Sequence, residues 1–206
     1  MTTRHDLQHD QATLDTIYRR RAVRSYTPEQ LEESTIRTLL EAAVHAPTAM
    51  HLEPWEFVVI QDRALLKRLS DRAKSMIQEE AAKHGDLVRP AAGSAARDPV
   101  ALLADPSFNI FYDAGTLIVI CAKPMGHFVT ADCWLAAENL MLAACSLGLG
   151  SCCIGFAVPV LNTPEAKREL GIAVDETAVA PIIVGVPRGV PPTVPRKAPN
   201  ILRWVR

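Results

Sequence analysis

The stretch RRRAVRSY, Arg19 to Tyr26, sets four arginines within six positions, in a chain whose 22 basic and 23 acidic residues otherwise nearly cancel. Guanidinium groups this close repel one another unless water or an anion answers them. Their planar fork matches phosphate or carboxylate oxygens two at a time. The alternative is a charge run on a solvated helix end. Two further cations, Arg196 and Lys197, stand in the tail GVPPTVPRKAP, whose prolines forbid helix and keep it extended. A compact phosphate monoester is the anion that suits Arg20, Arg21, Arg24 and Arg196 together. A turn of small residues, Ala46-Pro47-Thr48-Ala49-Met50-His51, precedes Pro54-Trp55, and small side chains let backbone approach a flat ligand closely.

Other chemistries lack their residues. Gly148-Leu149-Gly150 follows a helical pattern instead of a strand and has no third glycine in step, so it is no dinucleotide fingerprint. The sequence holds no phosphate loop, no GxSxG and no HExxH, and its six histidines form no ligand pattern. The five cysteines, Cys121, Cys133, Cys145, Cys152 and Cys153, have no framework or zinc spacing and read as reduced thiols. Cys152 and Cys153 read as small core residues.

The balance of 49% apolar and 22% charged residues over 206 positions suits one domain with a substantial core. A net charge of −1 argues against a nucleic-acid binder. No run approaches the length of a membrane span. The opening MTTRHDLQHDQ has no apolar signal core, so a cytoplasmic protein is expected.

The elements that must position the arginines follow from periodicity. Leu14 and Ile17 suit a short first helix, with residues 1–12 a flexible N-terminus. Thr27, Pro28 and Gln30 match a capping box for a second helix striped by Ile36, Leu39, Leu40, Ala43 and Val44 and stopped by Pro47. Residues 55–60 read as a strand. Asp62 caps a third helix that ends at Gly85. Residues 85–107 read as a mobile lid containing one short helix. Residues 116–122 form a buried strand, 130–147 a helix apolar nearly all round, 151–154 a short strand and 179–186 the last strand. Between the last two, Asn162-Thr163-Pro164-Glu165 opens a helix that Gly171 closes. Residues 187–206 form an extended tail. Mixed strands and helices give a single α/β or α+β domain.

RRRAVRSY, APTAMHLEPWEFVVI, LAAENLMLAACSLGLGSCCIGF and PIIVGVP with PRKAP occur in that order. Together they resemble the FMN-dependent nitroreductase family over about residues 14–200. The resemblance implies an α+β fold, a three-layer α/β/α sandwich around a mostly antiparallel sheet, in an intertwined homodimer with FMN at the subunit interface. It also implies hydride transfer from NAD(P)H to a small-molecule acceptor such as a nitroaromatic or quinone, by ping-pong kinetics. Arg20, Arg21, Ala22 and Arg24 match the motif that holds the flavin phosphate and ribityl chain. Pro47, Thr48, Ala49, Met50 and His51 match the turn that reaches the other subunit's flavin. Ile154 and Gly155 match the backbone over the isoalloxazine, and Arg196 the late phosphate cation. No catalytic side chain, metal, nucleic acid or membrane is implied. The chain departs from the family pattern at Ala22, His51, Glu53 and Val194, and at Ile110, where some members place a lysine near flavin N1. Another flavin reaction (dehalogenation, dehydrogenation, flavin breakdown) and a non-catalytic flavin binder are the competing readings. Trp55 and Phe57 read as core, Asn139 as a satisfied buried amide, and His51 as a hydrogen-bonded turn residue instead of an acid.

Overall fold

Every residue from Thr116 to Ala122 is buried, because this strand lies between two others and beneath helices on both faces. The computed structural model describes residues 7–84 and 99–206. Its elements are α1 (Leu7–Arg19), α2 (Glu33–Val44), β1 (Trp55–Ile60), α3 (Arg63–His84), α4 (Pro99–Ala104), β2 (Thr116–Ala122), α5 (Val129–Ser146), β3 (Gly150–Cys153), α6 (Val158–Leu161), α7 (Pro164–Leu170) and β4 (Thr177–Gly185). The described strands pair antiparallel in the order β1-β2-β4-β3.

Period-two alternation on β2 divides the core. Leu117, Val119 and Cys121 pack with Leu66, Leu69 and Ala73 of α3. Ile118, Ile120 and Ala122 pack with Ile36 and Leu39 of α2 and Ala136 and Leu140 of α5. Ile120 pairs with Ala180 while Cys121 pairs with Ala178, so Val179 is the extra residue of a bulge. The result is helix, sheet, helix: the expected α+β sandwich with an antiparallel sheet.

Most boundaries follow the sequence. The Asp62 carboxyl accepts from the N–H groups of Ala64 and Leu65 at 2.8 and 3.1 Å, starting α3. Thr163 caps α7, and Gly171 ends it at φ 71°. Asn139 donates to the Ala42 carbonyl at 3.2 Å, tying α5 to α2. Trp55 lies in the core, with Phe57 packed against it. α6 is a single turn that the periodicity of the sequence does not mark.

Three expectations need correction or restriction. The Thr27–Gln30 capping box does not form, and α2 starts at Glu33. The Thr27 N–H instead donates to the Val186 carbonyl at 2.9 Å, and the Gln30 amide to the Gln61 carbonyl at 2.7 Å. Tertiary pairing takes the Thr27 N–H and the Gln30 side chain, and the Thr27 hydroxyl that would have capped the helix is buried without a hydrogen-bond partner among the described residues. The proposed flexible N-terminus overlaps α1, which is helical from Leu7, while residues 1–6 lie outside the described residues. Gly85 and residues 85–98 of the expected lid also lie outside them. Residues 99–104 form α4, whose Leu103 is buried and accepts a hydrogen bond from Gln78 at 3.0 Å.

Gly150 permits one close approach on which the site depends. A Cβ there would stand 2.8 Å from Cβ, Cγ1 and Cγ2 of Val23. Gly150→Ala should therefore cost about 1–3 kcal/mol and lower the melting temperature by roughly 2–12 °C, measured by calorimetry. A second prediction concerns the far end of the sheet. Burial, followed by the nearby Glu56, raises the pKa of Glu176, while the hydrogen bond from Lys123 lowers that of Glu56. A raised carboxyl pKa favours the fold below the unfolded value and costs stability as pH rises through the folded value. Glu176→Gln should thus stabilise the protein more at pH 8 than at pH 5 in paired thermal melts.

Candidate functional site

The arginine segment leaves α1 and joins the sheet. Ala22 forms a parallel bridge with Ser151, and the Val23 N–H donates to the Ser151 carbonyl at 3.0 Å. Tyr26 then bridges Pro187 antiparallel, and its hydroxyl donates to the Val23 carbonyl at 2.7 Å. Val23 and Tyr26 are buried, while Ala22, Arg24 and Ser25 are exposed. The segment is thus anchored through alternate residues, with the arginine between them projecting from the sheet edge.

The four arginines do different things. Arg21 folds back, its Nη1 donating to the carbonyls of Tyr18 and, at 2.8 Å, of Arg20. It satisfies orphan carbonyls at the C-terminus of α1. Arg20 Nε lies 3.2 Å from Glu138 Oε1 on α5. Arg19, Arg20 and Arg21 line a cavity of about 310 Å³ together with Cys145, Gly148 and Pro191. Arg24 lines a separate cavity of about 310 Å³ with Ile110, Tyr112, Cys152, Ile154 and Gly155.

The second cavity has a backbone floor. The Ile154 N–H donates to the Pro181 carbonyl at 2.8 Å, fixing the chain as it leaves β3. A Cβ on Gly155 would meet no atom within 4 Å, so the backbone faces open space. Burial raises the pKa of the Cys152 thiol despite the opposing charges of Arg24 and Arg20. The group therefore remains a neutral thiol at neutral pH. Ile110 is buried and offers the cavity no charge, so Arg24 is its cation among the lining residues.

The turn from Pro47 to His51 lies elsewhere. Both carboxyl oxygens of buried Asp132 stand 3.3 Å from the Ala49 nitrogen. Met50, His51 and Glu53 have φ of 56°, 55° and 45°, a left-handed run that is costly for non-glycine residues. Met50 is 89% exposed. The His51 ring is exposed and bonds to no described residue, so the expected turn hydrogen bond is absent. Asp132 is in the first turn of α5, whereas Cys145, beside Arg20, is near its end. At roughly 1.5 Å per residue the two points are about 20 Å apart along the helix. Within one chain, then, the turn and the arginines do not meet. Arg196 is exposed on the tail and lines neither cavity.

Sequence reasoning missed Asp132, Glu138, Tyr112 and Arg188. Arg188 directly follows the Pro187 bridge, and its N–H donates to the Ser25 carbonyl at 2.9 Å. A cation one residue past the end of a sheet pairing was its only available sign. Among the described residues no cluster of potential ligands could hold a metal ion, and no helix is long and apolar enough to cross a membrane.

The model of the nitroreductase family matches residues 17–186. A protein of Archaeoglobus fulgidus, provisionally named an NADH dehydrogenase/NAD(P)H nitroreductase, is 32% identical over 176 residues, covering 85% of each chain. A Bacteroides fragilis nitroreductase crystallised with bound FMN superposes with a TM-score of 0.74 at 25% identity, covering 94% of this chain and 97% of that one. An iodotyrosine deiodinase bound to FMN and 3-iodo-L-tyrosine shares the fold at 22% identity, with a TM-score of 0.70 and coverage of 94% and 99%. The match runs from the last residues of α1 through the end of β4, taking in the arginine segment and the Gly155 floor, and the chain belongs to the nitroreductase family.

Proposed function

We propose that the protein is an FMN-dependent oxidoreductase, a homodimer that takes hydride from NAD(P)H and reduces a nitroaromatic or quinone-like acceptor. The observation that carries this reading is the cavity floored by Ile154 and Gly155 and flanked by Arg24. An open floor with no Cβ suits a planar ring lying against backbone. The adjoining arginines suit the phosphate at the other end of the same molecule. The residues present therefore fit FMN. When bound, the flavin supplies the redox chemistry, accepting two electrons from the nicotinamide and passing them to the second substrate in turn.

The chain's own residues bind and orient. Arg20 and Arg24 would offset the phosphate and pyrimidine charges, and Arg196 would join them from the tail. Arg21, committed to the end of α1, would act mainly by fixing the segment. Ile154 and Gly155 would present backbone to the ring, with Ile110 and Cys152 keeping that wall free of charge. Ala22 offers no hydroxyl, so the phosphate would rely on guanidinium groups.

Two observations support a dimer. α5 packs on the sheet through Ala136, Ala137 and Leu140, yet Trp134 and Leu135 on its outer side are 41% and 46% exposed. A helix that is apolar nearly all round calls for cover on both sides. Pro47, Thr48, Ala49, Met50 and His51 form a strained turn too far from the arginines of their own chain to share their ligand. On a second copy, that turn would complete the site.

A charge-assisted hydrogen bond, to the phosphate or to the pyrimidine edge, contributes about 1.5–3 kcal/mol. Arg20→Ala or Arg24→Ala should each weaken FMN binding about 10- to 150-fold in fluorescence titrations. Arg20→Ala/Arg24→Ala protein and Asp132→Ala protein should each bind FMN poorly. Mixed under conditions of subunit exchange, they should regain about one good site per heterodimer. A monomer in solution that binds FMN fully contradicts the shared site. Oxidation of NAD(P)H driven by menadione, with no turnover of halotyrosines, distinguishes this function from the dehalogenation performed on the same fold.

A further inference from the structure

Arg24 and Tyr112 also belong to the wall of a larger cavity of about 430 Å³. Its other lining residues include Tyr26, Asn109, Asp113 and Arg188. Sharing two residues, this cavity adjoins the one floored by Gly155. The two arginines come from segments 164 positions apart in sequence (188 minus 24) and are brought together by the Tyr26–Pro187 bridge. Arg188 is held at its base, with Nε donating to the Tyr26 carbonyl at 3.3 Å, which leaves its two Nη groups for another partner. Neither Arg24 nor Arg188 forms an ion pair with a described residue.

The two aspartates of the cavity serve their own loop. Asp105 accepts from the Ser107 N–H and hydroxyl at 2.8 and 2.7 Å. Asp113 accepts from the Asn109 amide at 3.0 Å. The wall between the cavities is strained: Tyr112 and Asp113 have φ of 52° and 57°. Lys74 clamps the same loop by donating to the Asp105 and Phe108 carbonyls at 3.3 and 2.7 Å. Strain at the end of a loop that a buried lysine clamps, next to two guanidinium groups without carboxylate partners among the described residues, suits a prepared binding surface.

We propose that this cavity is an oxyanion subsite. It takes the carboxylate or phosphate of a molecule whose ring lies against the flavin bound in the adjoining cavity, with Arg188 as the residue that sets the preference for charged substrates. The inference rests on the reading of that adjoining cavity as the flavin site. The chemistry recognised is a planar or tetrahedral oxyanion, which either the acceptor or the nicotinamide cofactor could supply.

The test uses FMN-loaded wild type, Arg188→Gln and Arg188→Lys, each checked for FMN affinity and melting temperature. Calorimetry with benzoate and benzamide reads binding without turnover. Steady-state kinetics compare 4-nitrobenzoate with neutral 4-nitrobenzamide and menadione, and NADPH with NADH. The account predicts that Arg188→Gln weakens benzoate binding about 10-fold or more, with FMN affinity and the menadione KM held within about twofold. Arg188→Lys should retain part of the preference. A matching rise in the nitrobenzoate KM assigns the anion to the acceptor, and a rise confined to NADPH assigns it to the reductant. Benzoate and benzamide bound equally by wild type, or equal losses on both, overturns the subsite. So does a fall in FMN affinity, which would make Arg188 a grip on the cofactor's own phosphate. A wild type that takes up no FMN overturns the functional reading, and this one with it. The two failures are distinguishable because the others begin from flavin-loaded protein.

Discussion

The docking of Val23 onto Ser151 is the contact from which the rest of the site follows. A run of arginines has no reason of its own to be ordered, since mutual repulsion favours spreading them through solvent. Here the backbone is pinned by the Val23 N–H on the Ser151 carbonyl, and by the Tyr26 hydroxyl on the Val23 carbonyl. Burial of Val23 and Tyr26 supplies the apolar drive. Gly150 makes the approach possible by having no Cβ where Val23 must sit. Gly185 does the same for Tyr26, whose Cδ1 would lie 3.0 Å from a Cβ at that position. With the segment fixed, Arg20 and Arg24 have defined positions, and on the proposed reading the cost of holding them there is offset by the cofactor's phosphate.

The two strained turns extend this logic. Left-handed backbone at Met50, His51 and Glu53 is held by Asp132, and at Tyr112 and Asp113 by a loop that Lys74 clamps. Neither turn contains a glycine, so each costs conformational energy that the surrounding contacts must offset. Such strain persists where geometry matters more than local stability. One turn is exposed and far from its own chain's arginines, an arrangement that suits the proposed dimer, in which a second chain would receive it. The other divides two cavities, where small shifts of Tyr112 would alter both.

Much of this was legible in the sequence. The antiparallel sheet and its helices follow from alternation on β2, the Asp62 and Thr163 caps, and the Gly171 stop. Ile154 and Gly155 come from one short motif at the end of one strand, and they share a cavity with Arg24. What failed did so because tertiary partners outcompeted local ones. Thr27 and Gln30 have the spacing of a capping box, but Val186 takes the Thr27 N–H and Gln61 the Gln30 amide, drawing both away from the start of α2. Arg21 reads as a phosphate ligand by its place in the run, yet its Nη1 is turned back onto the end of α1 while the side chain still lines the cavity of Arg19 and Arg20. Asp132, Arg188 and Tyr112 have no local pattern; their meaning arises from residues 83, 164 and 88 positions away (Ala49, Arg24 and Arg24 again), and no windowed periodicity spans such distances.

Calorimetric titration of flavin-free protein with FMN and with riboflavin, at low and high salt, tests the central claim most directly. Two charge-assisted bonds to phosphate, at about 1.5–3 kcal/mol each, predict FMN bound roughly 100-fold or more tighter than riboflavin. The gap should narrow as salt screens the exposed guanidinium groups. Equal affinities, unaffected by salt, would mean that the arginine segment holds no phosphate and would contradict the account.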